Sequence, residues 1–315
     1  VLLPLVVGAR MILCDQIKKN NPIDYLNHLR VTKISHIKLA PSYFRTLLSV
    51  QKEVLRLSHL RYIVFAGEPL MNDDITRWLN VNPDHYVVND YGPTETTVAV
   101  TSIVLNQSNM NLYGDRVPIG LPGNNVYLYV LDGQGCLLPM GVVGELYIGG
   151  AGLARGYLNR PDLTAEKFIP NPFGEGRLYK TGDLVRWLPD GNLEFIGRID
   201  DQVKIRGFRV ECGEIEAHLL QQANVHSAVV IARTVAQNGL CLIAYLIAKK
   251  GKTIDIAELR QGIQHRLPSY MIPSYFVIVD RFPLFANGKI DKKALPDPEV
   301  VCTEDACELP RTDTE

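Results

Sequence analysis

Between residues 23 and 100, apolar runs of strand length alternate with stretches of helical spacing, and this rhythm restricts the chain more than any other feature. "PIDYLNHLRVTK" carries apolar residues at helical intervals, and "ISHIKLAP" alternates. "LRYIVFAGEPL" is a buried-strand run that ends in a Gly turn, and "NDDITRWLNVN" restarts a helix with Asn72 or Asp73 as its expected cap. A βαβ alternation of this kind predicts a mostly parallel sheet, reaching to about residue 110. The rhythm then changes. The turns "LPGNN", "LDGQG", "LPMGVVG" and "LPDGN" separate the strands "NVYLYVL", "GELYIGG" and "NLEFIGR". Antiparallel hairpins, β-barrel-like in character, are expected over roughly 115–199. Residues 200–296 read as a small α+β part: a strand "QVKIRGFRV", a helix "CGEIEAHLLQQ", the strands "SAVVIARTV" and "LCLIAYLIAK", a helix "DIAELRQGIQHRL" and a strand "YFVIVD". The polar, acidic tail 297–315 has no periodicity and reads as a linker.

A chain of 315 residues predicts two or three domains or subdomains. With 33 basic and 34 acidic residues the net charge is −1, so there is no broad basic field for nucleic acid or an anionic membrane. No apolar run reaches the roughly 18 residues of a membrane helix. The cysteines, Cys14, Cys136, Cys212, Cys241, Cys302 and Cys307, show no metal-ligand spacing and read as free thiols of a reducing, cytoplasmic setting. The opening "VLLPLVVGARMILCD" reads as the middle of a fold, so the chain is expected to be a fragment.

Four stretches can carry chemistry. "VVNDYGPTETTVAV" opens as a strand and closes as another, over 97–100, with polar groups between. There Tyr91 offers a face for stacking, Asn89 a base-edge amide, Thr94 a hydroxyl for phosphate and Glu95 a carboxylate for magnesium. Asp183 in "YKTGDLVRW" could accept both hydroxyls of a ribose. "GRIDDQVKIRGFRVECGEIE" mixes Arg198, Lys204, Arg206 and Arg209 with carboxylates, and "NGKID" holds out Lys289, a cation suited to two approaching anions. Read singly, these are equally a polar turn, a hairpin corner, a solvated mixed-charge strand and a solvated turn lysine.

Together and in this order, "NDYGPTETTVA", "GELYIGGAGLARGY", "YKTGDLVRW", "GRIDDQVKIRGFRVECGEIE", "LPSYMIP" and "NGKID" resemble the core motifs of nonribosomal peptide synthetase adenylation domains, within the adenylate-forming enzymes. The resemblance runs from Val1 to about Pro296, and "LPRTDTE" resembles a linker toward a carrier domain. It implies the adenylate-forming fold, incomplete at its N-terminus because the Gly/Ser/Thr-rich phosphate loop is missing. The large subdomain would end at residue 199, and 200–296 would be a small mobile subdomain rotating about a hinge at Asp200.

The implied activity is ATP-dependent formation of an aminoacyl-adenylate and pyrophosphate, then transfer to phosphopantetheine on a neighbouring carrier domain, beside a condensation domain. By resemblance, Gly67, Glu68, Pro69, Asn89, Asp90 and Tyr91 would line the nucleotide slot; Thr94 would touch phosphate, Glu95 hold magnesium, and Asp183 with Arg198 grip ribose. Lys289 would bridge carboxylate and phosphate in the first half-reaction. In the second, Lys204 and Gly207 would approach the site. The side-chain pocket would be lined by Lys38, Val64, Ala66, Asp90, Val98 and Ala99. Lys38 and Asp90 suit the carboxamide of asparagine, with aspartate or glutamine next, or they pair with each other around a small neutral substrate. Alternatives are an acyl- or aryl-CoA ligase, or a non-catalytic docking remnant. The isolated fragment is expected to be inactive.

Overall fold

The computed structural model describes residues 3–15, 21–49, 56–235, 239–285 and 290–298. The chain divides into two compact units, Val1–Arg209 and Val210–Glu315.

In the first unit, β1 (His36–Leu39), β2 (Tyr62–Ala66) and β3 (Tyr86–Tyr91) pair in parallel, and β4 (Thr101–Leu105) and β5 (Leu121–Pro122) continue the sheet antiparallel. The period of two along β2 decides its two faces: Ile63 and Phe65 are fully buried, while Tyr62, Val64 and Ala66 are half-buried on the other side. Three helices cover the buried face: α1 (Pro22–Val31), α2 (Pro41–Ser49) and α3 (Asn72–Leu79). Asn21 caps α1 by accepting from the Ile23 and Asp24 amides, and Pro22 occupies the first turn, where no amide is needed. The α2 helix was not among the expected elements, although Phe44, Leu47 and Leu48 recur at helical spacing in it.

Phe44 tilts against Phe65 at 4.8 Å and meets Trp78 edge-on at 5.4 Å. It is the hub where α2, α3 and the sheet lock. Phe44→Ala is expected to cost about 3–5 kcal/mol through the cavity it leaves, measured as a fall in the denaturation midpoint. The cap of α3 departs from expectation. The helix starts at Asn72 with Met71 in the cap position and no side-chain cap. The Asn72 amide nitrogen donates to the Tyr113 carbonyl instead, a tertiary partner that outcompetes the local one.

The second sheet is antiparallel, in the order β10 (Leu193–Arg198), β9 (Arg177–Trp187), β7 (Gly144–Gly150), β6 (Val126–Leu131), with β8 (Phe168–Pro170) on β9. A short helix, α4 (Pro161–Lys167), precedes β8. Tyr91, Val100 and Ile119 of the first sheet region share a core with Leu146, Ile148, Val185 and Leu193 of the second. That shared core brings the end of β3 against the middle of β9. The next strand, β11 (Gln202–Ile205), leads through a turn into β12 (Phe208–Glu211), within which the two units divide.

In the second unit, β13 (Val225–Val235) runs antiparallel to β14 (Gly239–Ala248), and β15 (Tyr275–Ile278) parallel to β14. Helices α5 (Cys212–Leu220) and α6 (Ile256–Gln264) complete the α+β arrangement, with Asp255 capping α6. Arg233 donates to the carbonyls of Lys292 and Leu295 and to Asp297, and the Tyr245 hydroxyl to the Pro296 carbonyl. Residues 286–289, and Lys289 with them, lie outside the described residues, as does the expected linker from 299 onward. Among the described residues, Cys14, Cys136, Cys212 and Cys241 are free thiols, and no helix is long and apolar enough to cross a membrane.

Candidate active site

The site grows from the end of β3. Alternation puts Asn89 and Tyr91 on one face and Asp90 on the other. Asn89 is buried, and its side-chain amide donates to the Pro118 carbonyl at 2.9 Å, so one of its donors is committed to the fold. The Tyr91 hydroxyl donates to Asp183 Oδ2 at 2.5 Å. Asp183 lies in mid-β9, 3% exposed, directly opposite Arg198 of β10, whose Nη1 donates to Asp183 Oδ1. A register shift between Phe195 and Gly197 sets this pairing, a bulge that aims a side chain at the site. Arg198 then reaches past Asp183. Its Nε and Nη2 donate to Asp200 at 2.6 and 2.7 Å, and Nη2 also to the Thr181 carbonyl.

After β3 the chain does not enter a strand at residue 97. Thr97 and Val98 adopt left-handed backbone angles, φ 63° and 72°, rare for β-branched residues. The strand expected over 97–100 is displaced to Thr101–Leu105 because the loop is held elsewhere. Thr97 Oγ1 donates to the Gly152 carbonyl at 2.6 Å, and the Ala154 amide to the Glu95 carbonyl at 2.8 Å. This fastening buries Glu95 and leaves Thr94, Val98 and Ala99 exposed. Glu95 Oε1 accepts from the Tyr157 hydroxyl at 2.7 Å, and both its oxygens accept from Arg209 Nη1 at 2.9 and 2.8 Å.

The turn over residues 202–209 meets the same place at two further points. The Gly207 amide donates to Glu68 Oε1 at 2.6 Å, while Glu68 Oε2 accepts from the Ser42 amide at the start of α2. A Cβ on Gly67 (φ 91°) would lie 3.3 Å from the Gly207 carbonyl oxygen, so two glycines let the backbones meet. The Lys204 ammonium lies 5.5 Å from the centroid of the Tyr91 ring. Pro69 is exposed beside them.

On the open face of the first sheet, Lys38, Val64, Ala66 and Asp90 come together. Lys38 Nζ stands 3.3 Å from Asp90 Oδ2, with the lysine side chain half exposed. Asp90 thus shares a sheet face with Lys38, Val64 and Ala66, opposite to that of Asn89 and Tyr91. Sequence reasoning gave no role to Arg209 or Tyr157. A buried carboxylate at Glu95 demands a cation and a donor, but nothing in the spacing says which.

The chain matches the family model described as AMP-binding enzyme over residues 1–158 and the model of the AMP-binding enzyme C-terminal domain over 214–289. The chain belongs to the AMP-binding enzyme family. It is 44% identical over 312 residues to bacitracin synthase 3 of Bacillus licheniformis, covering 99% of this chain and 5% of that protein. It is 42% identical over 314 residues to tyrocidine synthase 1 of Brevibacillus parabrevis, covering 99% of this chain and 28% of that one. The chain therefore spans well under a third of these relatives. Among solved structures, it is similar to holo-PA1221, an NRPS protein containing adenylation and PCP domains (TM-score 0.74, 29% identity, 87% of this chain and 46% of that one). It is also similar to the four-domain nonribosomal peptide synthetase holo-AB3403 (TM-score 0.58, 38% identity, 94% and 22%). These likenesses bear out the adenylate-forming fold expected from the motifs.

In this AMP-binding enzyme the charges of the site are interdependent. Burial alone would raise the Glu95 carboxyl, but the Tyr157 hydrogen bond and the Arg209 charge outweigh it and hold it below its usual range. Burial pushes Lys204 down; Asp183 opposes that, and Arg198 and Arg209 add to it. Burial and the neighbouring Asp183 carboxylate keep the Tyr91 phenol protonated and donating. Carboxylates and cations from four separate stretches, around Glu68, Glu95, Asp183 and residues 198–209, thus come together.

Proposed function

We propose that this chain supplies the adenine, ribose and side-chain-pocket surfaces of an ATP-dependent, amino acid-activating ligase in peptide synthesis. The observation that carries the reading is the convergence of Tyr91, Asp183 and Arg198 with the Glu95 loop. Each Asp183 oxygen spends one acceptor position on Tyr91 or Arg198. A carboxylate has about four such positions, so one remains on each oxygen for a vicinal diol. That is the fit a ribose needs.

In the first half-reaction the amino acid carboxylate attacks the α-phosphorus of ATP. A C–O–P anhydride bond forms, the α–β P–O bond breaks, and pyrophosphate leaves with the electron pair. Lys289 screens the two anions as they approach, and Thr94 donates to a phosphate oxygen. Asn89 and Tyr91 form the wall against the base, and the Gly67, Glu68 and Pro69 corner closes it. In the second half-reaction the thiol of a carrier-bound phosphopantetheine attacks the acyl carbon and AMP leaves. The 202–209 turn, with Lys204 and Gly207, belongs to this step, and Asp200 is its pivot, steadied by Arg198. The similarity to a synthetase bound to AMP and glycine supports the nucleotide assignment.

Magnesium does not fit Glu95 as folded. Both oxygens already accept from Arg209, and Oε1 also accepts from Tyr157. Among the described residues no group of three His, Cys, Asp or Glu could hold a metal. No step above runs through a metal.

The substrate we infer is asparagine. Lys38 donates to the carboxamide oxygen and Asp90 accepts from its nitrogen, each trading its present partner for the ligand. Val64, Ala66, Val98 and Ala99 bound the rest of the pocket. Amino acid-dependent ATP–pyrophosphate exchange by the synthetase that contains this chain tests the reading. Asparagine is expected to lead, and Lys38→Ala to lower its kcat/KM by about 10-fold or more through one lost charged hydrogen bond. Exchange driven by fatty or aryl acids and by no amino acid would overturn it.

A further inference from the structure

Residues 151–157 fasten the loop that carries Thr94 and Glu95, yet little holds them still. They belong to no helix or strand, and none of them is buried. Hydrogen bonds therefore set their course. Toward the site, the Gly152 carbonyl accepts from Thr97, the Ala154 amide donates to the Glu95 carbonyl, and the Tyr157 hydroxyl donates to Glu95. A second set of ties comes from Arg177, the first residue of β9. Its Nη2 donates to the Ala154 carbonyl at 3.0 Å and its Nη1 to the Arg155 carbonyl at 3.1 Å. The guanidinium carbon lies 5.4 Å from the centroid of the Phe168 ring, and that ring meets Tyr157 edge-on at 5.7 Å. Ala154 thus gives its N–H to Glu95 and its C=O to Arg177.

We propose that Arg177 is a positioning residue for adenylate formation: its planar fork fixes two successive carbonyls, and through Ala154 it sets where the Thr94–Glu95 loop stands. The donors of a guanidinium keep a rigid angle to one another, so both carbonyls are oriented at once; the ammonium of a lysine is a point charge and imposes no such angle. The action is indirect, and it reaches the phosphate side of the site alone. Tyr91, Asp183 and Arg198 are held by bonds to one another and do not hang from this segment. The inference rests on reading Thr94 as the phosphate-side hydroxyl.

Arg177→Met keeps the apolar length of the side chain and removes the fork. In the synthetase that contains this chain, it is expected to lower kcat of amino acid-dependent pyrophosphate exchange about 10-fold or more, with AMP affinity unchanged. Arg177→Lys should recover melting temperature more fully than kcat. Thr97→Val cuts a neighbouring tie to the same segment, so the double variant with Arg177→Met should lose less than the product of the single losses. In the full chain, hydrogen exchange of the Ala154 amide should quicken in Arg177→Met. Native kcat in that variant overturns the proposal. So does a fall in kcat matched by an equal loss of AMP affinity, or losses that simply multiply. Should Arg177→Met not fold, Arg177→Lys takes its place, and native kcat with native Ala154 exchange in it overturns the proposal. A wild-type synthetase without amino acid-dependent exchange would sink the proposed function, whereas Ala154 exchange indifferent to Arg177 would sink this inference alone.

Discussion

Asp183→Ala is expected to abolish nucleotide binding and to weaken the fold together. The carboxylate is 3% exposed and takes donors from Tyr91 and Arg198. Deleting one side of a buried ion pair costs about 3–5 kcal/mol, because the surviving charge stays desolvated. Arg198 keeps Asp200, whose side chain is 43% exposed, so the loss should fall near the lower end. The Tyr91 phenol loses its acceptor outright. Asp183→Asn separates the two effects. It keeps the shape and an acceptor oxygen, so most of the fold survives. Yet one position now offers a donor where a ribose diol needs an acceptor. Adenylation by the synthetase should fall about 10²-fold or more in either variant, two charged hydrogen bonds being worth about 1.5–3 kcal/mol each. Pyrophosphate exchange and denaturant unfolding, measured side by side, read the two losses.

Gly92→Ala is the second large effect, and its cause is steric. A Cβ there would sit 2.4 Å from the Val98 carbonyl oxygen and 2.9 Å from the Val100 nitrogen. Both are backbone atoms, and neither can yield cheaply. Val98 already has left-handed angles, the Val100 amide donates to the Tyr91 carbonyl at 2.8 Å, and Thr97 is tied to Gly152. The loop must move, and Glu95 moves with it. Overpacking of this kind costs about 1–3 kcal/mol. A shift of about 1 Å in a positioned group can cost about 10²-fold in rate, so activity should fall further than stability. A Gly92→Ala protein with native melting and native exchange would mean the loop conformation does not matter.

Much of this was legible in the residues. The buried-strand run "LRYIVFAGEPL" announced a strand of the sheet, while only the fold shows Ile63 and Phe65 on its covered face and Tyr62, Val64 and Ala66 on the other. The Asp-Gly turns announced hairpins, but Asp183, which reads as lying just ahead of an apolar strand or at a hairpin corner, stands in the middle of the strand Arg177–Trp187. The misses share one cause, long-range contacts that override local preference. Thr97 and Val98 are β-branched and read as strand, but their ties to residues 150–154 force the opposite backbone hand. Asn72 looks like a cap and serves Tyr113 instead. The pairing of Arg209 with Glu95 has no local signature, because 114 positions separate partners that only the folded chain introduces.

The central claim is that Tyr91, Asp183 and Arg198 form one nucleotide-binding surface. Calorimetric titration of AMP into the full chain and into Asp183→Asn tests it most directly. The account predicts binding by the wild-type chain, weakened about 10-fold or more by the substitution. Equal affinity in the two proteins, or no binding by the wild-type chain, would contradict it.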